Sequence, residues 1–110
     1  MSTLTKNRTT PEPTAVRCDV ATLSVDLADG RTITVPLAWY PRLLHGTARE
    51  RSNFQLGRNG IHWPDLNEDI PVDGLLNGEK SAESLKSIQR WMDLRAKGLT
   101  EAIPTLPMPE

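Results

Sequence analysis

Leu23, Val25 and Leu27 alternate with Thr22, Ser24 and Asp26, and Ile33, Val35 and Leu37 alternate with Thr32, Thr34 and Pro36. A period of two puts successive side chains on opposite faces, so both runs read as half-buried strands joined at Asp29-Gly30. The pattern also sets the register. A two-residue Asp-Gly loop would pair Leu27 with Thr32 and Val25 with Thr34, setting apolar against polar on one face. A three-residue loop, Ala28-Asp29-Gly30, pairs Val25 with Ile33 and Leu23 with Val35. A slip of one residue would turn every apolar side chain to the wrong face, so the second register is expected. Gly30 then closes a type I turn in the left-handed region and forms a G1 bulge.

Val16, Cys18 and Val20 alternate in the opposite parity, so residues 15–20 are expected to be a separate first strand or a bent extension. Trp39-Tyr40-Pro41-Arg42-Leu43-Leu44 reads as an aromatic-rich turn. Thr47-Ala48-Arg49-Glu50 matches a capping box and opens a short helix ending near Asn53. A second hairpin is expected around Gly57-Arg58-Asn59-Gly60, with Leu56 against Ile61, Phe54 against Trp63, and Gln55 opposite His62 on the other face. Beyond Pro64 the chain turns, and Pro71 is expected to start a short helix through Leu75-Leu76 that ends at Asn77-Gly78. Ser81 is the expected cap of the longest helix, residues 82–97. Its apolar face would be Leu85, Ile88, Met92, Ala96 and Leu99, flanked by Trp91, with Gly98 at the C-cap. The fold class is α+β: a small antiparallel sheet built from two hairpins, with short helices and one longer C-terminal helix.

A chain of 110 residues supports one domain. Met1–Thr14 holds only Leu4 as a large apolar group and is expected to be a disordered tail. Pro104, Pro107 and Pro109 make residues 100–110 a Pro-rich tail, whose PxxP pattern reads as solvated chain, and leave 15–99 as the folded domain. A net charge of −1 implies no general attraction to nucleic acid or membrane. Cys18 has no intramolecular partner, which suits a cytoplasmic protein with a reduced thiol. No apolar run approaches the roughly 20 residues that span a bilayer, and no signal peptide is recognised.

Charge is unevenly spread. Residues 31–60 carry five arginines against Glu50 alone, whereas 61–79 carry five carboxylates and no lysine or arginine. An Arg-rich stretch beside aromatic residues can contact phosphates and stack on bases, so Arg42, Arg49, Arg51 and Arg58 form an alternative nucleic-acid surface. The simpler expectation is that the two segments neutralise each other or are solvated. Lys86, Arg90, Arg95 and Lys97 likewise read as a solvated helix face.

The densest polar and aromatic stretch is Gly60–Leu76. Asp65-x-Asn67-x-Asp69 copies the first positions of a calcium-binding loop, but the match stops there. Ile70 stands where the loop needs Gly and Leu76 where it needs a bidentate carboxylate. The carboxylates are better placed to cap turns and the following helix, with Asp69 and Asp73 near its positive end. His62 is the best candidate for acid–base work, with Asp65 and Asp69 close in sequence, yet no nucleophile accompanies it. No metal site, cofactor or catalytic residue is expected, and the chain reads as a non-enzyme.

Asp29-Gly30-Arg31, Val35 through Leu43, Glu50-Arg51, and above all Ile61-His62-Trp63-Pro64-Asp65-Leu66-Asn67-Glu68-Asp69-Ile70 with Gly74-Leu75-Leu76 resemble a bacterial domain-of-unknown-function family, the one numbered 2442. The resemblance covers about residues 15–78. It implies a small α+β domain, found alone or joined to a helix-turn-helix domain, with genes often arranged beside another small gene as in toxin–antitoxin pairs. It implies no catalytic residue. The family usually has Asp at position 67 and Ser at position 71; Asn67 and Pro71 stand there here, and both departures favour structure over chemistry. The expected function is a protein-interaction domain, antitoxin-like or an adaptor, with a partner encoded by a neighbouring gene. Its expected contact groups are Trp39, Tyr40, Arg42, His62, Trp63 and Asp65, aromatic and arginine anchors being favoured in interface cores. The Trp91 helix is a second candidate surface, for self-association.

Overall fold

The computed structural model describes residues 10–98. The expectations for residues 1–9 and 99–110, that for Leu99 on the long helix among them, lie outside the described residues. Two three-stranded antiparallel sheets form the frame. In the first, β1 (Pro13–Cys18), β2 (Thr22–Leu27) and β3 (Thr32–Pro36) lie in chain order. In the second, β4 (Gln55–Leu56), β5 (Gly60–Trp63) and β6 (Glu68–Pro71) do the same.

The first hairpin has the register that its apolar pattern requires: Leu23 faces Val35 and Val25 faces Ile33. The Gly30 N–H donates to the Leu27 carbonyl at 3.0 Å, the Leu27 N–H donates to the Arg31 carbonyl at 2.8 Å, and Gly30 has φ +98°. That is the three-residue loop with its left-handed glycine. β1 begins at Pro13, two residues ahead of the expected strand start, and ends at Cys18. Asp19 makes the turn into β2, its Oδ1 accepting from the Ala21 and Thr22 N–H groups at 2.8 and 2.7 Å.

Between the sheets lie a 3-10 turn at Leu37–Trp39 and two short helices, α1 (Pro41–Leu44) and α2 (Ala48–Ser52). The stretch read as an aromatic turn is therefore helical, with Pro41 at the first position of α1, where its missing N–H and fixed φ are tolerated. The capping box of α2 is complete: Thr47 Oγ1 accepts from the Glu50 N–H at 3.0 Å, and Glu50 Oε1 accepts from the Thr47 N–H at 2.8 Å.

In the second sheet Leu56 faces Ile61 and Gln55 faces His62, as expected. The Phe54 and Trp63 rings also meet, at 6.3 Å between centroids. β6 was not expected. Residues 64–67 form the turn of a further hairpin that pairs Trp63 with Glu68 and Ile61 with Ile70. Asn67 holds φ +50° there, a conformation that Asn tolerates better than most side chains. Pro71 ends β6 and is the N-cap residue of α3 (Val72–Leu76), rather than its first helical residue. Asp73 lies in the first turn of α3 as expected, but Asp69 is in the strand and caps nothing.

The long helix α4 (Leu85–Ala96) starts three residues later than expected. Ser84, not Ser81, is its N-cap, accepting from the Ser87 N–H at 3.1 Å; Gly98, at φ +75°, follows its C-terminus. The buried face is also rotated. Ile88 and Trp91 are buried, whereas Leu85 is 87% exposed and Ala96 is exposed. Leu23, Val25 and Leu27 of β2, Val35 of β3, Ile61 and Trp63 of β5 and Ile70 of β6 share one core with Leu37, Tyr40, Leu43, Leu66, Val72, Leu75 and Trp91. Inward and outward positions alternate along β5: Ile61 and Trp63 are buried, Gly60 and His62 face outward.

Gly60 is held to glycine by close approach. A Cβ there would stand 2.7 Å from the Ile70 carbonyl oxygen, whereas one on Gly57 would meet nothing nearer than 3.4 Å. Gly60→Ala is expected to lower stability by about 1–3 kcal/mol by prising β5 from β6, and Gly57→Ala by no more than about 0.5 kcal/mol. Urea unfolding of the two variants checks this.

Candidate functional site

Alternation in the second sheet leaves one face on the core and turns the other to solvent. On the outer face, paired residues line up in two rows. Gln55, His62 and Asp69 form a polar row through the pairs Gln55–His62 and His62–Asp69. Gly60 faces Pro71 in the next row, with Gly57 donating its N–H to the Gly60 carbonyl at 2.9 Å. The two rows, rimmed by Leu56 and Asn59, line an open cleft of about 500 Å³. His62 Nδ1 lies 2.7 Å from Asp69 Oδ1, which fixes the imidazole against the strand beside it. Leu56 remains 43% exposed at the cleft edge.

The structure divides the expected contact residues. Trp63, Tyr40 and Arg42 are 0%, 4% and 5% exposed and correct the expectation that they form a contact surface. Trp63 packs in the core with its Nε1–H donating to the Arg51 carbonyl at 3.1 Å, and Tyr40 donates its hydroxyl to the Glu79 carbonyl at 2.9 Å. Burying such polar atoms with partners is a structural solution. Trp39 is half-buried beneath Lys80, whose Nζ stands 5.4 Å from the ring centroid. Asp65 is exposed but turns away to Asn53, which donates Nδ2–H to its Oδ2 at 2.9 Å. Only His62 of the six lies in the cleft. Of the His62, Asp65 and Asp69 trio, only His62 and Asp69 meet. Among the described residues no group of three or more His, Cys, Asp or Glu side chains is arranged to hold a metal ion.

The arginines are likewise not gathered. Arg51 donates Nη1–H to the Leu43 and Gly46 carbonyls at 3.2 and 2.6 Å, and Arg58 lies 4.0 Å from Glu12. Arg42 grips Glu83 through Nε and Nη2, both at 2.7 Å, and donates Nη1–H to the Leu66 carbonyl at 3.0 Å. Arg49 and Arg58 remain exposed. Trp91 is also interior, with the guanidinium carbons of Arg42 and Arg95 at 4.9 and 4.7 Å from its ring centroid. Arg95 pairs with Glu50 at 3.0 and 2.8 Å instead of lying on a solvated face.

Sequence reasoning missed Glu68 and Glu83. Glu68 lies near Arg42 and Glu83, on the same side of β6 as the buried Ile70, and no hydrogen bond reaches its carboxylate among the described residues. Burial pushes it up to about 7; Arg42 opposes that rise, and the negative charges of Glu83 and Asp69 add to it. The alternation of Glu68, Ile70 and Val72 was the signal for this strand. Pro71 and the Asp65-x-Asn67 turn chemistry masked it.

Two antiparallel three-stranded sheets on a shared core, with one sheet face left open among the described residues, define a small α+β domain. The family model described as protein of unknown function (DUF2442) matches residues 13–81, and the chain belongs to that family. A crystal structure of a protein of unknown function from Rhodospirillum rubrum is similar at 26% identity and a TM-score of 0.58, covering 68% of this chain and 95% of that one. The solution structure of an uncharacterised protein from Chromobacterium violaceum shares the fold at 20% identity and a TM-score of 0.55, covering 76% of this chain and 75% of that one. No curated protein matches the chain.

Two predictions follow from the buried charges. Arg42→Ala leaves Glu83 without its main partner and is expected to lose about 3–5 kcal/mol, read by urea unfolding with Trp fluorescence. Glu68 binds its proton more tightly folded than unfolded, so between about 4.5 and about 7 the native state retains a proton that the unfolded chain has released. Stability contributed by this group therefore falls as pH rises through that window. Glu68→Gln is expected to match the parent near pH 4 and to exceed it at pH 8; equal stability of the two at pH 8 would refute the assignment.

Proposed function

We propose that this chain is a non-enzymatic protein-interaction domain that engages its partner through the open face of the second sheet. One observation carries the reading: an outer sheet face that no described residue covers, bearing a cleft of about 500 Å³, with a partly exposed leucine at its edge and a fixed His–Asp pair in its wall. Interfaces combine an apolar centre with a few oriented polar groups and a wet rim, and the cleft offers that combination. Trp63, Tyr40 and Arg42 serve the core, so the contact groups are His62 together with Leu56, Gln55 and Asp69.

The antitoxin-like or adaptor role, with a partner encoded by a neighbouring gene, rests on the family resemblance. A cytoplasmic setting suits the free thiol of Cys18. Among the described residues, no helix is long and apolar enough to cross a membrane. The alternative of nucleic-acid binding is weakened because Arg42 and Arg51 are committed to internal acceptors.

Co-expression with the neighbouring product is expected to give a complex that survives size-exclusion chromatography. Leu56→Asp at the cleft edge should weaken it by about ten-fold or more, whereas Leu85→Asp, at a more exposed leucine outside the cleft lining, should leave it unchanged. Two separate peaks for the parent protein, or equal effects of the two substitutions, would remove the reading.

A further inference from the structure

The cleft has a chemical polarity of its own. Its lining residues include the carboxylate of Asp69 and no lysine or arginine, and Arg58, between the lining residues Gly57 and Asn59, lies 4.0 Å from Glu12. Asp69 uses Oδ1 to hold His62, its side chain is 74% exposed, and its other oxygen accepts no hydrogen bond among the described residues. That oxygen is open to a guanidinium or ammonium group. The adjacent row is different in kind. Neither Gly60 nor Gly57 raises a side chain there, and because the Ile70 carbonyl fills the space beside Gly60, an aliphatic side chain of a ligand would rest on top of this row, against Pro71 and Leu56.

Asp69 and Pro71 are two residues apart on the same side of β6, which separates the carboxylate from the apolar recess by about 6.6 Å. An extended chain presents side chains i and i+2 on one face at the same spacing. We propose that the cleft binds an extended segment of a partner protein in which an apolar residue and a lysine or arginine stand two positions apart, the apolar side chain over Gly60 and the cation on Asp69. This rests on the reading of the open face as the interaction surface, and it adds the chemistry of what that surface accepts.

The test uses the full chain, labelled with ¹⁵N, titrated with acetylated and amidated heptapeptides of glycine and serine carrying Leu at the third position. One peptide has Arg at the fifth position, a second has Glu there, and a third places Arg next to Leu. The first should shift the amides of Gly57, Gly60, His62 and Asp69 and bind about five-fold tighter than the other two. Asp69→Asn should erase that preference, whereas Asp65→Asn, whose carboxylate is held by Asn53, should retain it. Equal shifts at the cleft with all three peptides would overturn the cationic spacing rule while leaving the cleft an interface. No shifts at the cleft with any peptide would overturn the proposal, and the Leu56→Asp result would then decide independently whether the face is an interface. Binding seen only after removal of residues 1–9 would assign the cleft to the chain's own N-terminal segment and overturn a partner as its occupant.

Discussion

The buried guanidinium of Arg42 is the interaction on which the arrangement of helices depends. It extends from α1, holds Glu83 ahead of α4 with two hydrogen bonds, donates to the Leu66 carbonyl in the turn between β5 and β6, and stands over Trp91. Three segments distant in sequence thus converge on one planar cation. A lysine would supply the charge but not the forked geometry that satisfies both carboxylate oxygens and a carbonyl together. An interior charge is tolerated only when its donors are directed in this way. Arg95 and Glu50 repeat the arrangement at the other end of α4, so the helix is clamped through Trp91 by two arginines.

Glu50 shows how local and tertiary demands meet in one side chain. Its carboxylate completes the capping box of α2 and also accepts both hydrogen bonds from Arg95. Those contacts hold its carboxyl below the usual carboxylate range, Arg95 being the largest cause. Glu68 is the counterexample, partly desolvated, without a hydrogen bond among the described residues, and shifted upward. Two glutamates near the same α4 framework therefore differ in protonation behaviour because one is solvated by fixed donors and the other is not.

Local patterns were legible wherever a short-range rule decided the outcome. The parity of Leu23, Val25, Ile33 and Val35 determines the first hairpin, and Thr47 with Glu50 determines the start of α2. The residues that failed to read correctly are those whose environment is made by distant parts of the chain. Arg42 and Tyr40 look like surface anchors in sequence because nothing adjacent reveals Glu83 or the Glu79 carbonyl. Ser81 and Ser84 offer similar caps, and the choice between them follows from which helix phase brings Ile88 and Trp91 onto the core. β6 is hidden in the sequence because turn residues and proline dominate its neighbourhood, while its partner strand β5 also pairs with β4 in a hairpin that accounts for its pattern. His62 was correctly placed on the face opposite Trp63, since that inference needed only the period of a strand.

The stretch from Ile61 to Val72 thus contains two sets of demands interleaved by strand alternation. Ile61, Trp63, Leu66, Ile70 and Val72 are all at most 1% exposed, and filling the core accounts for them. Packing does not require an imidazole at position 62 or a carboxylate at 69. A solvent-exposed pair of that kind contributes little to stability, and β-branched residues would suit the same paired strands at least as well. Gly60 is different again, since the approach of Ile70 demands it and the bare backbone beneath the cleft is the consequence. The recess is therefore a by-product of strand pairing, whereas the His–Asp pair beside it is surplus to folding. Chemistry that folding does not explain, set beside a recess that folding makes unavoidable, is what the proposal of a recognition surface on this fold rests on.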